Sequence, residues 1–291
     1  RKEREKVYPP LLYDLTELQR YANKRFGLSA KETLNIMQRL YENHKVLTYP
    51  RTDSRYLTSD VVGTLSERLD ACAVGPYRKM ALTVKAQHPE NEKMVFCGHK
   101  KVSDHHAIIP TEQFVDLTHM TNEERKIYDL VVRRFLSAFC PPCRYEETVI
   151  YAESGREQFV ARGKVMIDEG FRQVQEMNCE DEDESSRDMK DQTLPKISQG
   201  MEFKQVQVDI REGKTTPPPR FTEATLLSAM ENPVKYMENK DREMVKTIGE
   251  TGGWERLPRE RILLRNCFTP FCWKRKEMRF ILHLRQNSFW S

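Results

Sequence analysis

Two adjacent prolines, Pro141 and Pro142, divide this chain more sharply than any other feature. Neither has a backbone N–H to donate, and each pushes its predecessor out of the helical region, so no helix runs through them. The hydrophobic period changes at the same point. Upstream, apolar residues recur every third or fourth position; downstream, every second.

The upstream part reads as a helical unit. "LYDLTELQRYANKRFG" sets Leu15, Leu18, Ala22 and Phe26 on one face, with Gly27 as the stop. "SAKETLNIMQRLYEN" opens on a Ser29–Glu32 capping box, and Leu34, Met37, Leu40 and Tyr41 are expected to make its inner face. "KVLTYP" reads as a short strand ending at Pro50, and "TSDVVGTLSERLDACA" as one capped helix. In "TNEERKIYDLVVRRFLSAF", Ile127, Leu130, Val131, Phe135 and Leu136 point inward, while Arg133 and Arg134 are candidates to line a groove.

Beyond the prolines, "RYEETVIYAES", "EQFVARGKVMI" and "MEFKQVQVDIREG" alternate as strands, with the acidic loop "NCEDEDESSRDMKDQ" between the last two. Three further prolines lead into a helix, "RFTEATLLSAMEN". The expectation is a multi-domain α+β chain without internal repeats.

Composition limits the function classes. No window approaches the roughly 20 apolar residues of a membrane span. The opening "RKEREK" has no signal-like character and no Met, so the first residue is read as lying within a longer product. Seven Cys without framework spacing favour free thiols and a reducing compartment. "CPPC" at Cys140–Cys143 has no second pair to complete a zinc ribbon. The net charge of +4 is concentrated at the end: residues 254–291 hold nine Lys/Arg, three Asp/Glu and all three Trp. Any polyanion bound by the main body must therefore meet a local groove rather than a global field.

Three segments carry chemistry. In "VLTYPRTDSRYLT", Tyr49 precedes Pro50 and Arg51. A phenol with a pKa of about 10 is a weak nucleophile near neutrality unless a cation favours its anion. Arg51 can hold two phosphate oxygens in a fork, and Thr52, Asp53 and Ser54 suit a tight turn whose hydroxyls meet phosphate. The same residues fit an edge-strand tyrosine beside a solvated turn. In "SDHHAIIPT", His105 and His106 suit phosphate contact, proton transfer, metal ligation or a structural role. Neighbours on a strand point to opposite faces, so one of the pair is expected to face a site. In "TTPPPRFTEATLL", Arg220 and Thr222 precede a helix N-terminus, which is either a phosphate site or an ordinary N-cap.

In this order, "LTYPRTDSRYL", "DHHAIIPTE" and "PPPRFTEATLLSAMEN" resemble the type IA DNA topoisomerases, on the bacterial topoisomerase III side of that family. The resemblance covers residues 8–253 and implies part of a toroid. Residues 1–8 would be a linker, 9–140 the helical domain carrying the tyrosine, 141–212 part of a β arch, and 213–253 the start of a helical base domain. Tyr49 would attack single-stranded DNA and form a 5′-phosphotyrosine, conserving bond energy so that religation needs no ATP. Arg51 would hold the scissile phosphate and His105 would be the active-site histidine. Thr52, Ser54, His106, Arg220 and Thr222 would contact DNA. The resemblance further implies relaxation or decatenation, a monomer, and a cytoplasmic, DNA-associated bacterial protein. It also implies Mg2+, held by a Toprim domain that has no counterpart in these residues; the chain is thus expected to be a fragment.

After Gly252–Gly253 the resemblance stops. Read one nucleotide earlier, Trp–Glu codons force Gly, and Phe–Cys, Phe–Trp and Cys–Trp each force Leu. Residues 254–291 can then open as "LGTVATRADII", which resembles the family's continuation. They are read as an out-of-frame tail; a basic, aromatic DNA-binding tail is the alternative.

Overall fold

The computed structural model describes residues 2–87, 102, 104–154, 156–174, 219–231, isolated positions and short runs between 194 and 234, and the backbone of 273–276 and 279–282. The predicted strand over 201–213 and the acidic loop lie almost wholly outside the described residues.

Two helices open the helical unit. In α1 (Leu15–Phe26), the Asp14 side chain accepts from the Glu17 amide, and Gly27 ends the helix in the left-handed conformation at φ 69°. In α2 (Ala30–Glu42), the Ser29–Glu32 capping box forms as predicted. Its buried face is Thr33, Ile36, Met37 and Leu40, shifted from the expected one: Tyr41 is left exposed. The predicted third helix is two, α3 (Ser59–Val62) and α4 (Leu65–Ala71), interrupted at Gly63 and Thr64. The Thr58 hydroxyl does not cap α3. After α5 (Arg78–Gln87) comes α6 (Asn122–Ser137), which buries Ile127, Leu130, Val131, Phe135 and Leu136.

Arg134 does not reach a groove. It lies in the core at 4% exposure, its guanidinium 4.3 Å from the Tyr13 ring centre and 3.1 Å from the Tyr13 hydroxyl. Arg133 pairs with Asp129 at 2.8 Å and donates to the Val174 carbonyl. Both arginines brace the fold rather than line a groove. Glu124 performs two tasks: it accepts from the Thr121 amide at 2.9 Å and pairs with Arg39 of α2 at 2.7 Å. Burial alone raises its pKa, but Arg39 and the Thr121 amide and hydroxyl outweigh burial and hold it at about 2.

"HAIIP" threads the middle of this unit. Ala107, Ile108 and Ile109 are buried, and their backbone reaches three segments. Ile108 N–H donates to the Tyr13 carbonyl, Ala107 N–H to Tyr56, and Ile109 O accepts from Thr48 N–H. "KVLTYP" is thus held by an isolated bridge, Leu47 to Pro110, rather than by a regular ladder.

Past the two prolines the chain becomes an antiparallel ribbon, as the change of period requires. β2 (Cys143–Ser154) pairs with β3 (Glu157–Asp168) from Ser154↔Glu157 back to Arg144↔Asp168, with an irregularity at Arg144/Tyr145. Residues 2–7, expected within a linker, form β1 (Lys2–Val7) on the other edge of β2, in register from Lys2↔Thr148 to Val7↔Cys143. The sheet order is β1-β2-β3. Alternating charge in "KEREKV" gave no strand signal; pairing with β2 decides it. α7 (Glu223–Glu231) returns to pack on α1. The backbone of β4 (Trp273–Lys276) pairs with β5 (Arg279–Leu282). The architecture is mixed helices with a small sheet.

Candidate active site

Behind α2 the chain reverses at Lys45, whose φ of 56° is left-handed. The Thr111 hydroxyl holds the Lys45 carbonyl at 2.6 Å, which steadies this conformation. Val46 and Leu47 then anchor in the core, Pro50 is buried, and Tyr49 between them is half-buried. Its ring meets His105 with centres 4.4 Å apart and planes tilted by 42°. On another side the Tyr41 ring stands edge-on at 5.6 Å. Two of the three predicted motifs therefore converge on one phenol. Arg51 and His105 are exposed.

Three hydroxyls stitch this junction. Thr48 Oγ1 accepts from the Ile109 amide at 3.0 Å and donates to the Ala107 carbonyl at 3.3 Å. Thr52 Oγ1 donates to the His105 carbonyl at 2.8 Å and accepts from the Ser54 amide at 3.1 Å. Ser54 Oγ accepts from the Tyr56 amide and donates to its carbonyl. Thr52 and Ser54 are only 6% and 4% exposed. The expectation that these two hydroxyls meet DNA does not fit their placement; they hold the backbone around Tyr49 and His105 instead.

His106 is half-buried beside its neighbour. Its Nδ1 donates to the Ala107 carbonyl at 2.7 Å. Burial pushes its pKa down, the carbonyl opposes that, and Arg68 adds to the fall. Arg68 itself is fixed by Thr64 Oγ1, the Pro110 carbonyl and Glu112.

The third motif approaches through α7. Arg220 is exposed. Thr222 is the N-cap: its Oγ1 accepts from the Thr225 amide at 3.2 Å. The Ala224 amide donates to Asn23 Oδ1, and Glu223 in turn accepts from the Ala30 amide at 2.8 Å. The start of α7 is thus engaged with the α1–α2 hairpin. At its other end Glu231 meets Arg20 at 3.1 Å and Arg55 at 3.2 Å. Arg55 also pairs with Asp14 at 2.5 Å and approaches Glu17 at 3.6 Å, while Arg20 pairs with Glu17 at 3.0 Å. Burial outweighs Arg55 and keeps the Asp14 carboxyl above its usual pKa.

Neither Arg55 nor Tyr41 stands out in the sequence as a site residue. No local pattern separates Arg55 from a solvated turn arginine, because its partners come from α1 and α7. Tyr41 sits where helical period alone assigns a core side chain. Among the described residues, no group of three or more His, Cys, Asp or Glu is placed to hold a metal ion. Among them, too, no helix is long and apolar enough to cross a membrane.

The chain is similar to known proteins over most of its length. A family model described as DNA topoisomerase matches residues 1–250. DNA topoisomerase 3 of Bacillus thuringiensis (strain Al Hakam) is 54% identical over 252 residues, 87% of this chain and 34% of that protein. DNA topoisomerase 3 of Bacillus licheniformis is 46% identical over 276 residues, 95% of this chain and 37% of that one. The corresponding Bacillus subtilis (strain 168) protein is 45% identical, with 95% and 38% covered. The chain therefore spans about a third of the length of these curated relatives. Full-length topoisomerase I from Thermotoga maritima shares the fold at a TM-score of 0.56 and 21% identity, over 97% of this chain and 42% of that structure. With the family model covering most of its length, this chain belongs to the DNA topoisomerase family.

Proposed function

We propose that this chain is the tyrosine-bearing part of a type IA, topoisomerase III-like enzyme that cleaves and rejoins single-stranded DNA. The observation that carries the reading is the Tyr49–His105 contact at 4.4 Å, which brings two separated motifs to one phenol. Tyr49 Oη attacks phosphorus, the bond to the 3′ oxygen breaks, and the 5′ phosphate stays on Tyr49. The phenol loses its proton and the leaving oxygen gains one; in this reading His105 handles phosphate or proton near neutral pH. Arg51 offsets the charge that builds on the phosphate. Religation is the reverse displacement, with no ATP.

The finer architecture follows the same reading. Residues 9–140 form the tyrosine domain, 141–212 the arch, here joined by β1, and 213–253 the beginning of the base domain, within a toroid. Arg220 and Thr222 are the DNA contacts of that base, Thr222 also capping α7. The described residues do not fit an Mg2+ site, so no step passes through the ion. The reading assigns it to a Toprim domain of the whole protein. Residues 254–291 are proposed as an out-of-frame tail. The family match ending at residue 250 supports this, although the Bacillus licheniformis comparison runs further. The coding DNA decides it.

Covalent capture tests the function. Labelled single-stranded DNA is expected to become attached to the chain, and Tyr49→Phe to abolish attachment. Attachment that survives Tyr49→Phe removes Tyr49 as nucleophile. Binding without attachment would leave a single-stranded DNA-binding module.

A further inference from the structure

We propose that Thr52 is the positioning residue of this site: its hydroxyl, through the His105 carbonyl, holds the imidazole against the Tyr49 ring. The inference rests on the reading of Tyr49 and His105 as the reactive pair. His105 is exposed and lies at the entrance to "HAIIP". From Ala107 onward that segment is fixed by backbone hydrogen bonds to Tyr13, Tyr56 and Thr48. At His105 itself, the hydrogen bond that ties the backbone to the Tyr49 segment comes from Thr52 Oγ1, at 2.8 Å.

Thr52 is well suited to this role. It is three residues past Tyr49, it is 6% exposed, and Leu15 N–H binds its carbonyl at 3.0 Å. Its hydroxyl accepts from the Ser54 amide, which leaves the hydroxyl proton to point at His105. Thr48 performs the matching task on the other side of Tyr49, donating to the Ala107 carbonyl at 3.3 Å. Two threonines flanking the nucleophile thus hold the two ends of the His105–Ala107 stretch. With its hydroxyl engaged by the Ser54 amide and the His105 carbonyl, Thr52 serves the site through the geometry it imposes.

The test reads the ring contact directly and needs no DNA. In the full chain, the carbon-bound imidazole protons of His105 are expected upfield of a free histidine, because the Tyr49 ring centre lies 4.4 Å from that of the imidazole. Thr52→Val removes the hydroxyl at nearly constant shape. It is expected to return the His105 signals toward free-histidine values, while His44 and His119 signals stay in place. Thr52→Ser keeps the hydroxyl and is expected to keep the upfield position. In covalent capture, Thr52→Val is expected to slow attachment roughly 10-fold, as misplacement of a reacting partner does, and Thr52→Ser to restore it.

Unchanged His105 signals in Thr52→Val overturn the proposal. So does their loss in Thr52→Ser, which would assign the effect to the methyl group; this arm holds even if Thr52→Val fails to fold. If the signals respond as expected but DNA is never captured, the positioning stands and the functional reading fails.

Discussion

His106 shows how neighbouring side chains of one type acquire different work. His105 faces outward onto Tyr49, whereas His106 turns inward, donates to the Ala107 carbonyl and is pushed below its ordinary pKa of 6.5 by burial. Between the folded value and 6.5 the unfolded chain binds more protons than the folded one. Stability is therefore full above pH 6.5 and declines as pH falls through that window. His106→Asn, which keeps an amide donor but does not titrate, is expected to flatten this part of the pH–stability curve. Denaturant midpoints between pH 5 and 8 give the measurement; an unchanged slope contradicts the assignment.

Among the elements, the joint between α6 and the β ribbon is specified by backbone close approach. β3 ends at Asp168, and Gly170 starts the turn that places Phe171 in the core, with Phe171 N–H donating to the Pro141 carbonyl. Gly170 has φ 49°, and a Cβ there would stand 2.6 Å from the Pro141 carbonyl oxygen and 2.7 Å from the Cys143 nitrogen. Both obstacles are backbone, so neither yields cheaply. Gly170→Ala is expected to destabilise by about 2–4 kcal/mol, combining left-handed strain with overpacking, and to lower the thermal midpoint. Both the double proline and the change of period were readable locally. The glycine requirement was not, because it arises from the ribbon folding back on its own root.

At the scale of the whole molecule, α7 reaches the tyrosine-bearing unit from some 200 residues away in the chain, with its start and end both docked by polar groups. Arg55, Glu231, Arg20 and Glu17 close a ring of alternating charge, to which Glu231 is α7's contribution. These side chains are between one-fifth and two-fifths exposed, so the ring is open to screening. Glu231→Gln is expected to loosen docking by about 1 kcal/mol, read as roughly 5-fold faster hydrogen exchange in α7. Added salt should accelerate exchange in the parent chain more than in the variant. Equal salt sensitivity would sink the role given to the ring.

The sequence by itself determined the order of helical unit, ribbon and returning helix, because period, caps and prolines act over a few residues. The Ser29 cap, the inward face of α6, and the ribbon of β2 and β3 all follow from such short-range physics. It also marked Tyr49, Arg51 and His105 as residues of interest by motif. Tertiary structure decided what those residues touch. It seated Tyr49 on His105, turned Thr52 and Ser54 inward, paired the charged run of β1 with β2, and drew Arg55 between α1 and α7. Each depends on groups far apart in the chain meeting at a few ångströms, a distance that no local pattern encodes.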